Sequence, residues 1–354
     1  MSKKVAVLAS GGVDSSVAMG LLKDQGYRVE AFYLKIWLED ELSYLGACPW
    51  QEDLKFLEEV CGRLDIPLHV VAMQKEYFER VVDYTISEVK AGRTPNPDVM
   101  CNNHIKFGFF LETLPNGFDY IASGHYAQIG DFKGRVCLKQ SVDLVKDQSY
   151  FLSQVPLDIL PKLMFPIGHF SKPQVRKLAE KYNLANKDRK DSQGICFLGK
   201  LKFNDFVEHY LGNKPGDIIE FETGKVMGQH NGFYYHTRGQ RKGLGLSGGP
   251  WYVVSKDINK NIVYVSCNYD SLADSRSEFR IESGGNFVVE DWHQQANLQV
   301  KLRHGPTLYK CVVQANVNGF QVKIDGSDQG IAAGQFAVFY IDDLCLGSAK
   351  ILEN

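Results

Sequence analysis

No stretch of this 354-residue chain approaches the roughly 20 consecutive apolar residues that a helix needs to cross a bilayer. A helical membrane span is therefore not expected, and the reading is of a cytoplasmic protein with no membrane partner. An excess of charge of one sign is missing too. Forty Lys and Arg stand against 42 Asp and Glu, so a polyanionic partner has to be met by a local patch rather than by the field of the whole molecule. The eight cysteines (Cys48, Cys61, Cys101, Cys137, Cys196, Cys267, Cys311, Cys345) are too dilute for a disulfide scaffold, and no CxxC pair marks a zinc site.

What remains is the composition of an ordinary globular protein, 44% hydrophobic and 23% charged with a mean hydropathy of −0.23. Its length calls for two or three domains. The first two hundred residues alternate strand-like with helix-like runs: Val5 to Ala9, then Ser15 to Gln25 closed by Gly26, then Val29 to Ile36. Leu54, Leu57, Val60, Cys61 and Leu64 recur at helical spacing before a strand at Leu68 to Met73. Phe78, Val81, Val82, Ile86 and Val89 line a further helix, and Tyr120 to Ala122 reads as a short strand. Strands alternating with helices predict a parallel sheet covered on both faces. From about residue 213 short β-rich runs are separated by Gly, Asn and Asp turns, with Asn318-Gly319 a hairpin signal and a further division near residue 275. One local basic patch stands out: residues 172 to 200 hold Lys172, Arg176, Lys177, Lys181, Lys187, Arg189, Lys190 and Lys200 against Glu180, Asp188 and Asp191. Taken alone it reads as a solvated helix face.

Ser10-Gly11-Gly12-Val13-Asp14-Ser15-Ser16 joins the first strand to the first helix, where unpaired backbone N–H groups and the helix dipole favour an anion. Glycines let the backbone approach a phosphate, and serine hydroxyls add donors. The loop has neither the Gly-Lys-Ser/Thr ending of a Walker loop nor a GxGxxG, so phosphoryl transfer of the kinase type and dinucleotide binding are disfavoured. SGGVDSS in this place resembles the pyrophosphatase loop of the adenylating PP-loop enzymes, which implies cleavage of ATP to AMP and pyrophosphate and adenylylation of an oxygen.

Two cysteine segments carry the rest of the reading. Asn96-Pro97-Asp98-Val99-Met100-Cys101-Asn102 follows the third helix, and Asp191-Ser192-Gln193-Gly194-Ile195-Cys196-Phe197 comes later. Each alone is most simply a loop with one small buried thiol. Together with SGGVDSS, with Ala91-Gly92-Arg93-Thr94-Pro95, Ser123-Gly124-His125-Tyr126, Lys146-Asp147-Gln148-Ser149-Tyr150-Phe151-Leu152 and Gly239-Gln240-Arg241-Lys242-Gly243-Leu244-Gly245, they resemble the tRNA-uridine 2-sulfurtransferases (tRNA 2-thiouridylases, the MnmA/TrmU family) over nearly the whole chain.

The resemblance implies a Rossmann-like α/β PP-loop domain with a parallel sheet over residues 1–205. Two small β-rich domains would follow, at 206–274 and 275–354, the last barrel-like. It implies 2-thiolation of the wobble uridine of tRNA with ATP and Mg2+. Cys196 would carry the sulfur as a persulfide, Cys101 would be its partner nucleophile and Asp98 a general acid or base. A persulfide donor, either a cysteine desulfurase or a sulfur-relay protein, would supply the sulfur. Leu8, Ala9, Ser10, Gly11, Gly12, Val13, Asp14, Ser15, Leu34 and Gly124 would hold ATP, with Leu34 standing where relatives commonly have Met. Asn96, Pro97 and Asp98 would contact the target base, and His125, Lys146, Asp147, Gln148 and Gln335 the tRNA. Arg303-His304 stands where relatives often carry Arg-Tyr, and takes the same tRNA role. An unpaired anticodon base suits this chemistry, since A-form duplex hides base edges in a deep groove. Arg189 and Lys190 lie close enough in sequence to Cys196 to lower its thiol pKa if they point inward.

Two other readings stay open at this level: a PP-loop ligase or amidotransferase acting on a small molecule, for which neither cysteine matters, and a non-catalytic tRNA-binding protein. An iron-sulfur cluster has only this pair of cysteines to support it.

Overall fold

The computed structural model describes residues 2–36, 50–190, 202–268, 277–328 and 330–352. The apolar run KVAVL forms β1 (Lys4–Leu8), in which Val5, Ala6 and Val7 are fully buried. Such a continuous run suits the centre of a parallel sheet covered on both faces. After α1 (Val13–Asp24) and β2 (Arg28–Lys35) come α2 (Trp50–Leu64), β3 (Leu68–Ala72), α3 (Gln74–Tyr77) and α4 (Asp83–Lys90). A π-helical turn, Phe78–Val82, joins α3 to α4. The chain continues through α5 (Pro97–Cys101), a second π-helical stretch at Asn102–Phe109, α6 (Phe110–Thr113) and β4 (Tyr120–Ser123).

A sheet of five parallel strands results, in the order β3-β2-β1-β4-β7, where β7 is Leu163–Met164. Alternate residues of β1 feed opposite faces: Ala6 and Leu8 join the cluster with Phe32, Val99 and Cys101, while Val5 and Val7 join the one with Val17, Ala31 and Val60. The chain turns one way from β1 to β2 and the other way from β1 to β4, so β1 and β4 end side by side, with Leu8 opposite Ser123. This is the switch point at which open α/β sheets bind ligands beyond the strand ends.

A hairpin follows β4, with β5 (Ala127–Phe132) and β6 (Arg135–Gln140) joined at Lys133 and Gly134, both at positive φ. Its hydrogen bonds run to the far end of the chain, for β6 pairs with β18 (Leu344–Lys350). Within the PP-loop region there follow α7 (Ser149–Leu152) and α8 (Lys172–Lys181), the latter opened by a Ser171–Gln174 capping box. After α9 (Phe203–Leu211) comes a four-stranded sheet, β10-β11-β8-β9, made of β8 (Gly216–Glu220), β9 (Val226–His230), β10 (Tyr252–Asp257) and β11 (Ile262–Ser266). It closes over Ile218, Phe233, Trp251, Val253, Val263 and Val265.

The last sheet has nine strands: the 127–140 hairpin, β18, and β12 (Glu278–Ile281), β13 (Asn286–Phe287), β14 (Gln299–Lys301), β15 (Tyr309–Asn316), β16 (Gly319–Ile324) and β17 (Phe336–Ile341). The β15–β16 turn is Val317-Asn318, one residue earlier than the Asn-Gly pair predicts, with Gly319 already paired to Asn316. Gly319 serves a different need: at φ 137° its missing side chain leaves room for the Ile281 carbonyl of β12. Among the described residues no helix is long and apolar enough to cross a membrane.

Candidate active site

The turn after β1 is shaped by its glycines and serines. Gly11 sits at φ 72°, a left-handed conformation, and a Cβ there would overlap the Asp53 carbonyl of α2. Gly12 is the N-cap of α1 and makes no side-chain cap, so the first-turn N–H groups are free of an intrahelical partner, as geometry requires. Ser15 Oγ donates to the Gly12 carbonyl at 3.2 Å and accepts from Ser10 N–H at 3.2 Å, and Ser16 Oγ donates to the same carbonyl at 2.9 Å. Gly124, at the end of neighbouring β4, packs directly on the loop: a Cβ would lie 2.5 Å from Ser15 N. Leu8, Ala9 and Val13 are buried beneath the turn, and Leu34 stands half-buried near the end of adjacent β2. The ten expected ATP residues therefore occupy the ends of β1, β2 and β4 and the turn between β1 and α1.

Asp14 is the charged residue of this turn. Lys172 Nζ, from the start of α8, donates to both its carboxylate oxygens at 2.8 and 3.0 Å, and Tyr126 Oη donates to Oδ1 at 2.9 Å. Tyr126 then leads away from the loop. Its N–H donates to Gln148 Oε1 at 3.0 Å, and Gln148 N–H donates back to the Tyr126 carbonyl at 2.7 Å. Gln148 precedes α7, where the Phe151 carbonyl accepts from Asn102 Nδ2, the residue after Cys101. A continuous hydrogen-bonded path thus joins the glycine turn to the helix that carries Cys101.

Asn96 caps that helix, accepting from Val99 N–H at 3.2 Å, and Pro97 opens it, which fixes where Asp98 and Cys101 fall. Asp98 is half-exposed in the first turn; Cys101 is 1% exposed. The turn is clamped by the C-terminal barrel. Gln335 accepts from Asn96 Nδ2 at 3.1 Å and donates to the Thr94 and Pro95 carbonyls. Thr94 N–H bonds the Ala333 carbonyl, and Glu88 binds both Arg93 and Lys350. Those two cations outweigh the burial that would raise the Glu88 carboxyl and hold it below its usual range.

Other expected tRNA residues divide by exposure. Lys146 is half-exposed. Asp147 is 1% exposed and points inward, accepting from Lys301 Nζ at 2.7 Å, Ser149 Oγ and Ser141 N–H, so its carboxylate offers nothing to a nucleic acid in this arrangement. His125 bonds Ser123 Oγ at 2.8 Å and packs against Phe107 and Phe165; burial, aided by Lys106, pushes its imidazole well below the usual value and leaves it neutral. His304 stacks on Phe151 with ring centroids 4.7 Å apart. Burial and Lys301 lower its pKa, although Asp147 and Asp98 pull the other way. Arg303 turns to Asp328 instead.

Cys196 lies outside the described residues, as does Gly194. The described chain before it reaches the turn: Arg189 Nη1 donates to the Gly11 carbonyl at 3.1 Å and its other nitrogen pairs with Asp53. Arg189, which the sequence places close to Cys196, is engaged with the glycine turn and with α2. Asn186, Tyr126 and Lys172 were not assigned to the site from sequence, because polar residues 112 to 175 positions from their partners in the turn carry no local signal of where they return.

Family models match three successive stretches: residues 3–200 as a tRNA methyl transferase HUP domain, 204–267 as a tRNA methyl transferase PRC-barrel domain, and 277–351 as an aminomethyltransferase β-barrel domain. The chain is 47% identical over 357 residues to a tRNA-specific 2-thiouridylase MnmA of Parabacteroides distasonis, covering 99% of each. It is 47% identical over 360 residues to that of Porphyromonas gingivalis, again covering 99% of each. To a 2-thiouridylase of Bacteroides thetaiotaomicron it is 46% identical over 354 residues, 98% of this chain and 99% of that one. A glycine turn at the switch point, a capped cysteine helix tied to it, and this likeness from end to end place the chain in the family of tRNA-specific 2-thiouridylases.

Proposed function

We propose that the protein replaces the C2 oxygen of the wobble uridine of tRNA with sulfur at the expense of ATP. The observation that carries this reading is the hydrogen-bonded path from the glycine turn through Tyr126 and Gln148 to Asn102, which ties the turn to the helix bearing Cys101. The C2 carbonyl is a weak electrophile. Its oxygen attacks the α-phosphorus of ATP, pyrophosphate leaves, and AMP becomes the leaving group. The N–H groups opening α1 and the Ser10 hydroxyl stabilise the departing pyrophosphate.

The Cys101 thiolate attacks the inner sulfur of a Cys196 persulfide. The terminal sulfur displaces AMP at C2, leaving a Cys101–Cys196 disulfide that an external dithiol reopens. Asp98, in the first turn of the Cys101 helix, suits proton transfer at the base, with Asn96 and Pro97 beside it on the base side. Lys146, Gln148 and the barrel residues Arg303, His304 and Gln335 form the tRNA side of the site, some by contact and some by holding the Asn96 turn. Magnesium would arrive with ATP, held chiefly through the phosphates. The sulfur comes from a persulfide-bearing donor protein. Methyl transfer, named in the family-model descriptions, has no use for a loop that releases pyrophosphate.

Nucleoside mass spectrometry of tRNA incubated with the protein, ATP, magnesium and a persulfide source tests the proposal. The expected product is 2-thiouridine at the wobble position, abolished by Cys196→Ser and by Cys101→Ser. ATP cleavage without 2-thiouridine defeats it, and an active Cys196→Ser variant favours a ligase with ammonia as nucleophile.

A further inference from the structure

Asn186 is 1% exposed and lies in the turn that follows α8. Its Nδ2 donates to the Gly11 carbonyl at 2.8 Å and to Ser16 Oγ at 2.9 Å, while its Oδ1 is buried without a hydrogen-bond partner among the described residues. A buried amide with one end unsatisfied costs stability where an apolar residue would not. What the site gains is a grip on one carbonyl. Arg189 donates to that same Gly11 carbonyl and is itself fixed by Asp53 and by stacking over Phe56. The turn bearing both residues is locked in turn, because Arg176 Nη1 donates to the Lys187 and Arg189 carbonyls at 2.7 Å each.

Because the peptide unit is planar and trans, a Gly11 carbonyl drawn toward Asn186 and Arg189 forces the Gly12 N–H to the opposite side, where its partner is Ser10 Oγ at 3.4 Å, a long contact that a phosphate oxygen can replace. Gly11 at φ 72° has no side chain to hold this orientation, so apart from the two donors only that long contact restrains the peptide.

We infer that Asn186 and Arg189 are positioning residues that set the Gly11–Gly12 peptide of the phosphate loop, and so select for pyrophosphate over the nucleoside monophosphate. The inference rests on the reading of this loop as a pyrophosphate site. It assigns to two residues outside the SGGVDSS segment the orientation of that segment's donors.

The test uses the full chain with magnesium and two probes, inorganic pyrophosphate and AMP, titrated by calorimetry against wild type, Asn186→Ala and Asn186→Asp. The aspartate keeps the volume but replaces the donor with an acceptor that repels the carbonyl. Affinity for pyrophosphate is expected to fall about tenfold in Asn186→Ala, which loses the buried hydrogen bond that holds the Gly11 carbonyl, and further in Asn186→Asp, with AMP affinity within about twofold of wild type. Equal loss for both probes, or no loss for either, overturns the inference. If Asn186→Ala does not fold, Arg189→Lys decides by the same two constants, since a lysine cannot serve Gly11 and Asp53 together as the guanidinium does. A wild type that binds no pyrophosphate and releases none from ATP in the presence of tRNA defeats the reading of the loop itself, independently of the variants.

Discussion

Two Lys–Asp pairs lie on either side of Tyr126 and Gln148, and they are nearly identical in length. Lys172 meets Asp14 at 2.8 Å in the glycine turn after β1; Lys301 meets Asp147 at 2.7 Å beneath the C-terminal barrel. Exposure separates them. Side chains of the first pair are 14% and 30% exposed, those of the second 1% and 0%. The buried pair has surrendered its hydration and can be kept only because Ser141, Ser149 and Gln140 complete the carboxylate's bonds. The loop pair retains access to solvent and hence to a ligand. Contact distance alone does not tell a structural pair from a functional one; the cost already incurred by desolvation does.

Breaking the buried pair should have the largest effect on folding. Lys301→Met leaves Asp147 charged and enclosed, for a loss of about 3–5 kcal/mol in urea unfolding, and Lys301→Met with Asp147→Asn should recover much of it. A small loss in the single variant would mean that water reaches the site and the contrast is false. Glu88 is an intermediate case, itself 6% exposed, with partners Arg93 and Lys350 at 33% and 23%. Glu88→Gln is expected to cost roughly 1–3 kcal/mol near neutral pH. Because the folded-state carboxyl titrates below its usual value, the wild-type advantage is present above about pH 4.5 and fades as the pH falls through the lowered value, so unfolding curves of wild type and Glu88→Gln should converge in acid. Convergence in alkali instead would reverse the sign and refute the assignment. Lys172→Met should have the smallest effect on folding, under about 1 kcal/mol. Its consequence falls on activity: kcat/KM for ATP in tRNA-dependent AMP release should drop roughly 10- to 100-fold, while a drop in stability without a kinetic defect would make the loop pair structural after all.

How far these contrasts could be read from the chain differs by residue. The turn after β1 was legible because its glycines, serines and helix start lie within seven residues, and the apolar run ahead of it has one good use, the centre of a sheet. Cys101 was legible through the family likeness alone; its segment by itself reads as a loop with one buried thiol, and the structure makes it the end of a helix capped by Asn96 and opened by Pro97. The fate of Asp147 was not, for its partner Lys301 is 154 positions away and nothing local distinguishes a lysine that ends inside a barrel from one on a surface. The 127–140 hairpin was equally silent: the Lys133-Gly134 turn is visible afterwards, but its pairing with β18 joins segments some two hundred residues apart. Gln335 was assigned to tRNA, whereas its amide is engaged with Asn96 and the Thr94 and Pro95 carbonyls, so any effect on tRNA includes the hold on the base-side turn.

The sequence by itself determined the elements whose signals are short-range, a buried strand and a glycine turn at a helix N-terminus, together with a family likeness that spans the chain. Only the tertiary structure decided which polar groups serve the loop and which seal the barrel. Residue type and spacing set local backbone geometry through sterics and hydrogen bonds between near neighbours, but the value of a charge depends on how much water its surroundings remove, and those surroundings are assembled from segments distant in the chain.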